Sequence, residues 1–180
     1  MPETWVVVVL VSLIVWYLSQ QAGRLDRLHH RIDMSRATLD TNLAKRSGIV
    51  LELASSELFD PVTSAVLAQG AHDALDDDDL TSQSRLDTEN NLSEMLRDAI
   101  DSMHPITARD QRLDEMKLLA DLENVSNRVV LTYRFMGEAV DDCLAIRTQH
   151  LVRLLHLAGQ APIPKKIELD VEPPHFAPIR

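Results

Sequence analysis

The sequence predicts an all-α protein, in which a single N-terminal transmembrane helix continues into an antiparallel four-helix bundle with an extended C-terminal tail. The composition is the first observation. Leucine, alanine, valine and charged residues dominate the 180-residue chain, glycine occurs five times and aromatic residues make up 4%, which favours helix over sheet. The second is an uncharged apolar run that begins at Trp5. The third is a succession of long, short, short and long helical segments, whose short connections imply antiparallel neighbours.

The apolar run WVVVVLVSLIVWYL covers residues 5–18 and has fourteen residues without a charge. A spanning helix usually needs roughly 20 residues, and uncharged neighbours extend this run to Gly23. Trp5, Trp16 and Tyr17 lie near its ends, as interfacial anchors do. A cleaved signal peptide is the alternative, but its start would be basic, and here it is acidic. We therefore predict an uncleaved anchor over residues 1–23.

Arginines follow the apolar run directly. Arg24, Arg27 and Arg31 come after it, and no lysine or arginine precedes it. By the positive-inside rule the N-terminus then lies outside and the rest of the chain lies in the cytoplasm, at the plasma (inner) membrane. Near the surface, each of these arginines adds ~1 kcal/mol of attraction to anionic headgroups.

Helical periodicity predicts four helices with apolar stripes. The first runs without a break to about Ala54, and the second starts at Pro61, where Asp60 is the capping residue. The third covers about Ser84 to Met103, and the fourth begins near residue 110 and ends near residue 159. The inward positions predicted for the four helices, in order, are Leu25, Leu28, Ile32, Leu39, Leu43 and Val50; Val62, Ala65, Val66, Ala68, Ala71 and Leu75; Leu86, Leu92, Leu96, Ile100 and Met103; and Leu118, Leu122, Val125, Val129, Tyr133, Met136, Val140 and Cys143.

The domain prediction is an anchor over residues 1–23, a cytoplasmic helical bundle over 24–159 and a proline-rich extended tail over 160–180. The fourth helix is longer than the soluble part of the first, so that at ~1.5 Å per residue it overshoots by roughly 25 Å toward the bilayer. The overshooting segment is cationic and rich in leucine, which is typical of a membrane or partner contact. Its predicted contact residues are Arg147, Leu151, Arg153, Leu154, Leu155 and His156.

Two segments carry a family resemblance. RLDRLHHRIDMSRATLDTNLAKR (residues 24–46) and ENVSNRVVLTYRFMGEAVDDCLAIR (residues 123–147) resemble the first and last long helices of LemA-like proteins, most closely in the actinobacterial branch. Asn127-Arg128 and the run from Phe135 to Val140 stand where the family has Asn-Arg and Tyr-Asn-x-Ala-Val, although Met136 and Gly137 depart from that pattern. The resemblance implies a membrane-anchored antiparallel helical bundle with its N-terminus outside, and it carries over no enzymatic residue.

Motifs of catalysis and cofactor binding are not found in the sequence, which has no phosphate loop, nucleophile elbow or paired cysteines. Asp101 and His104 have a spacing that occurs in bundle metal sites, but a histidine that complements a helix C-terminus is the simpler interpretation. The acidic run 76–79 lacks the alternation and glycine of a calcium loop. The single cysteine, Cys143, is interpreted as a buried, inert thiol. We therefore expect no cofactor, no metal and no small-molecule substrate.

The net charge of −10 argues against nucleic acid as a partner. The sequence therefore favours a non-enzymatic accessory or scaffold protein, whose partners are the membrane and the subunits of a larger membrane complex, for example a respiratory chain complex. A membrane-anchored regulatory adaptor, such as a stress or protease-associated factor, is the alternative. A metal-binding enzyme that uses Asp101 and His104 is a third hypothesis.

Overall fold

The structure, a computed structural model, describes residues 2–56, 58–77, 79–103, 113–148 and 163–176. These residues form four α-helices and no strand. The helices are α1 (Pro2–Ser55), α2 (Pro61–Leu75), α3 (Gln83–Ser102) and α4 (Leu113–Arg147). The predicted all-α class is confirmed, and the starts of α2 and α3 lie within one residue of their predicted positions.

The helix starts follow from local chemistry. Asp60 caps α2, because its Oδ1 accepts hydrogen bonds from the backbone N–H groups of Val62 and Thr63 at 3.0 and 3.2 Å. Ser82 caps α3 in the same way, with its Oγ 3.0 Å from the backbone N of Arg85. Each side chain thereby satisfies N–H groups that the first helical turn leaves without a partner.

The chain divides into two compact units. The first contains Met1–Ser35 and Phe135–Lys166, and the second contains Arg36–Arg134 and Ile167–Arg180. The first unit has a small buried cluster of Ile32, Ala139, Val140, Cys143 and Ile146, against which Leu28 and Leu144 pack. The second unit holds the main core.

Apolar side chains from all four helices form the core of the second unit. Its buried members are Ile49, Val50, Leu53, Leu67, Ala71, Ala74, Leu92, Leu96, Ala99, Ile100, Leu119, Leu122 and Val125. Helical-bundle character is thus confirmed for this unit, and the stripes predicted for α1, α3 and α4 supply six of these thirteen residues. The C-terminal residues 167–176 are extended and belong to the same unit.

Helix directions within the second unit follow from side-chain contacts. The Cβ position of Gly70 lies 2.9 Å from Met95, whereas Ala74, one turn later in α2, meets Arg85 near the start of α3. These contacts run in opposite directions along the chain, so α2 and α3 are antiparallel.

By the same reasoning α1 and α3 are parallel, because Asp40 contacts Arg85 and Arg46 contacts Glu89. This is the relation expected of first and third helices in an up-and-down bundle.

The inward stripe predicted for α2 is partly wrong. Val62 is 72% exposed and Val66 is 45% exposed, and the buried face is instead formed by Leu67, Gly70, Ala71 and Ala74. A small-residue face lets α2 approach α3 closely, so the larger valines are left facing outward. On α4, Phe135 lies outside the predicted stripe and is 45% exposed.

Candidate functional site

The N-terminal part of α1 presents an exposed apolar surface. Between Trp5 and Tyr17 the large apolar side chains are 42 to 73% exposed. Because consecutive residues are all exposed, the helix is apolar around its whole circumference rather than along one stripe. A helix of this kind is stable when another apolar environment surrounds it. We call residues 5–17 the apolar segment.

Three arginines of the predicted anchor lie on the turns of α1 that follow the apolar segment. Arg24, Arg27 and Arg31 are all exposed, and their role at a membrane interface stays a prediction. Trp16 is 64% exposed at the end of the segment. These residues, predicted as membrane anchors, lie along one continuous helix.

The length and apolarity of the helices determine whether one of them could span a membrane. In residues 2–176, apart from the gaps between the described segments, no helix is both long enough and apolar enough to cross a membrane. The apolar run of residues 5–18 has fourteen residues and is shorter than the roughly 20 that a spanning helix uses. The single-pass helix over residues 1–23 therefore lacks support from this finding and stays a prediction.

The second predicted contact surface lies mostly outside the described residues. Arg147 is half-buried in the last turn of α4. The other members of the set, Leu151, Arg153, Leu154, Leu155 and His156, lie outside the residues that the structure describes. The overshoot of the last helix stays a prediction for the same reason.

A group of charged residues lies inside the second unit. Arg46 of α1 is 4% exposed and Glu89 of α3 is fully buried. The Arg46 Nη2 donates to Glu89 Oε2 at 2.7 Å, and its Nη1 donates to the hydroxyl of Ser93 at 2.9 Å. Burial lowers the pKa of the Arg46 guanidinium, and the Glu89 carboxylate opposes this shift. The ion pair therefore joins α1 and α3 through two charged groups that are buried from solvent.

Arg85 adds a second cation to the same carboxylate. Its Nη2 lies 2.8 Å from Glu89 Oε1 and 3.6 Å from Asp40 Oδ1, and it is 2% exposed as a whole residue. Its Nη1 donates to the backbone carbonyls of Ala74 and Asp77 at the end of α2. Cations at a helix C-terminus satisfy free carbonyls and complement the dipole. We call Arg46, Arg85, Glu89 and Ser93 the buried charge network.

The buried charge network was not predicted from the sequence. A signal was present, because Arg46 follows Leu39 and Leu43 on the buried stripe of α1, and Glu89 lies between Leu86 and Leu92 on α3. Charged residues on an apolar stripe are seldom fully buried unless they are paired. The partners, however, lie 43 positions apart in the chain, and helical periodicity contains no information about such a pairing.

The acidic run 76–79 ends α2 and leads into α3. Asp77 Oδ1 accepts from the backbone N–H of Asp79 at 2.9 Å, and its Oδ2 accepts from the Ser82 hydroxyl at 2.7 Å. These hydrogen bonds lower the pKa of Asp77, and contacts with Thr81 lower that of Asp79. The described carboxylates of this loop therefore shape the turn between two helices.

The remaining candidates are Cys143 and Asp101. Cys143 is fully buried in the first unit, with its Sγ 4.0 Å from His29 Nε2, and burial raises the pKa of its thiol. This agrees with the interpretation of an inert thiol. Asp101 is exposed in the last turn of α3, and His104 lies outside the described residues. Among the residues that are described, no three metal-ligating side chains come together.

The described residues thus define a helical-bundle protein with an exposed apolar N-terminal segment and a buried charge network. Comparison of the chain with models of protein families, with characterised proteins and with solved structures found no match. The resemblance to LemA-like proteins rests on the two sequence segments alone and stays a prediction.

Proposed function

We propose that the chain is a non-enzymatic accessory or scaffold protein that is anchored to a membrane by the N-terminal part of α1. The observation that carries this proposal is the exposure of the apolar segment. Twelve large apolar side chains between Trp5 and Tyr17 are exposed, and at about 25 cal/mol per Å² of apolar area their transfer into hydrocarbon is strongly favourable. A lipid bilayer is the environment that surrounds such a helix on all sides.

The length of the uncharged stretch supports a spanning arrangement. Residues 4–23 contain no charged side chain, and 20 helical residues at ~1.5 Å each match a hydrocarbon core of about 30 Å. The exposed arginines at positions 24, 27 and 31 then stand at the cytoplasmic interface. In this proposal the N-terminus is outside and the helical bundle is in the cytoplasm, at the inner membrane.

The second unit supports a structural role. It encloses a core of its own, and its buried charges are paired with one another across helices. In the proposal the cytoplasmic part of the chain docks onto the subunits of a larger membrane complex, of which a respiratory chain complex is one example. The cationic segment 147–156 is the proposed point of contact.

Alkaline carbonate extraction of the full-length chain tests the anchor. We expect the wild-type protein to stay in the membrane pellet, and the Val9→Lys/Leu13→Lys variant to move to the supernatant, because two lysines in hydrocarbon cost about 5–7 kcal/mol. The matched control is Val62→Lys/Val66→Lys, which adds the same charges at exposed valines of α2 and should stay in the pellet. Extraction of the wild-type protein by carbonate would contradict the proposal.

Affinity purification from detergent-solubilised membranes tests the accessory role. Stoichiometric co-purification of membrane-complex subunits is the expected result. Association that is transient and depends on stress would instead favour the regulatory adaptor, and a monomer without partners would contradict both.

A further inference from the structure

The C-terminal tail is held against the bundle through its backbone. Asn90 of α3 accepts from the backbone N–H of Asp170 at 2.7 Å, and its Nδ2 donates to the carbonyl of Glu168 at 3.5 Å. The hydroxyl of Tyr133 on α4 donates to the carbonyl of Ile167 at 2.8 Å. These contacts bind groups that every peptide carries, so they recognise an extended backbone rather than particular side chains.

Two more residues of α3 continue this row of contacts. The Ser93 hydroxyl lies 3.1 Å from the carbonyl of Asp170, and Arg97 Nη1 donates to the carbonyl of Glu172 at 3.2 Å. Arg97 also forms an ion pair with the Asp170 carboxylate at 2.5 Å. Because Asn90, Ser93 and Arg97 are spaced by three and four, they share one face of the helix.

The side chains of the tail alternate, as those of an extended peptide do. Ile167 and Leu169 are each 7% exposed, whereas Glu168 and Glu172 are exposed. Farther along, Phe176 packs against the main core. Backbone hydrogen bonds combined with pockets for alternate side chains are the usual means of binding an extended peptide.

We propose that the face of α3 formed by Asn90, Ser93 and Arg97 is a binding site for an extended acidic peptide of the pattern Ile-x-Leu-Asp, and that the chain's own residues 167–170 occupy it in cis. The occupant follows from the structure, since the tail and α3 belong to the same compact unit. A tethered ligand of this kind has an effective concentration in the millimolar range. The proposal does not depend on the membrane anchor.

The site also connects to the buried charge network. Ser93 accepts from Arg46 and lies within hydrogen-bond distance of the Asp170 carbonyl, so one hydroxyl contacts both the network and the tail. The charge of Asp170 also acts on Arg46, whose pKa it raises against the effect of burial. The bound tail therefore covers one side of the network, and its release is expected to let water reach Arg46.

Hydrogen exchange on the full-length protein tests the occupancy of the site. In the wild type the Asp170 amide should be protected, because Asn90 Oδ1 accepts its proton. Asn90→Ala should raise its exchange rate roughly tenfold, as expected for the loss of one hydrogen bond. The neighbouring Asn91→Ala is the matched control, since Asn91 is exposed on α3 and should leave the rate unchanged. Equal rates in the wild type and Asn90→Ala would overturn the proposal.

A peptide supplied in trans tests the specificity of the site. A fluorescent peptide of residues 165–176 should bind the full-length Asp170→Asn variant severalfold more tightly than the wild type, up to about fivefold, because the variant loses the partly exposed ion pair that holds its own tail. Adding Arg97→Ala should remove this gain, whereas Arg128→Ala at an exposed position on α4 should not. Equal binding to the wild type and Asp170→Asn would overturn the proposal.

The mass of the protein in solution shows whether the bound tail comes from the same chain or from a second copy. A monomer whose Asp170 protection does not change with protein concentration supports occupancy in cis. A dimer whose protection rises with concentration would mean that a second copy supplies the tail, and it would overturn the assignment in cis.

Discussion

At the scale of single residues, Glu89 has the least expected environment among the described side chains. It is fully buried, and its carboxylate lies between two arginines that are 4% and 2% exposed. Taking charges out of water is costly, so such a group stabilises the fold only as long as all of its members are present. Removing one member is therefore expected to lower the free energy of unfolding more than replacing the whole group by apolar side chains does.

We predict that Glu89→Gln lowers the free energy of unfolding by about 3–5 kcal/mol, because it leaves Arg46 and Arg85 buried without a counter-charge. The triple variant Arg46→Met/Arg85→Met/Glu89→Leu should lose less than the single variant. Urea unfolding followed by circular dichroism measures both. A triple variant less stable than Glu89→Gln would show that the network contributes net stability.

The stability of the folded protein should depend on pH through Asp170. Its ion pair with Arg97 holds the pKa of its carboxyl below the usual value. A carboxyl with a lowered pKa stabilises the folded state above its unfolded pKa of about 3.9, and this contribution is lost as the pH falls through the folded value. Because the pair is partly exposed, its contribution should not exceed about 1 kcal/mol.

We accordingly expect the difference in unfolding free energy between the wild type and Asp170→Asn to be larger at pH 6 than at pH 3. Urea titrations of both proteins at the two pH values measure this difference. The Asp98→Asn variant, altered at an exposed position of α3, is the control and should show no such change. A difference that is constant with pH would contradict the role of the carboxylate.

At the scale of helices, local signals predicted where a helix begins better than they predicted which of its faces is buried. The Asp60-Pro61 signal predicted the start of α2 correctly, because a cap and its helix are neighbours in the chain. The face of α2 was partly mispredicted, since Val62 and Val66 satisfy a helical period as well as the small residues do. The contacts of Gly70 with Met95 and of Ala74 with Arg85 of α3 show which face is inside.

Two glycines provide a test at this scale. A Cβ at Gly70 would lie 2.9 Å from the Met95 sulfur, whereas one at Gly48 has nothing within 4 Å. Gly70→Val should therefore destabilise the protein by about 1–3 kcal/mol through overpacking. Gly48→Ala should stabilise it by up to about 1 kcal/mol, because alanine favours the helix. Thermal unfolding compares the two, and a stabilising Gly70→Val would show that α2 and α3 are not closely packed there.

At the scale of the whole molecule, the sequence by itself determined the properties that depend on neighbours in the chain. These are the four helices, most of their apolar stripes, the cap at Asp60 and the uncharged apolar segment that motivates a membrane anchor. The α-helix has 3.6 residues per turn, and hydropathy is a property of a short window of the sequence. Both can therefore be recognised without knowing where any other part of the chain lies.

Only the tertiary structure decided which distant residues meet. It brought Glu89 to Arg46, 43 positions away, and it bound Asp170 to Asn90, 80 positions away. The tail was predicted only as a proline-rich extended segment, because neither its composition nor its periodicity indicates a partner on α3. Such pairings depend on how helices align in space, and a single sequence does not contain that alignment in any local pattern.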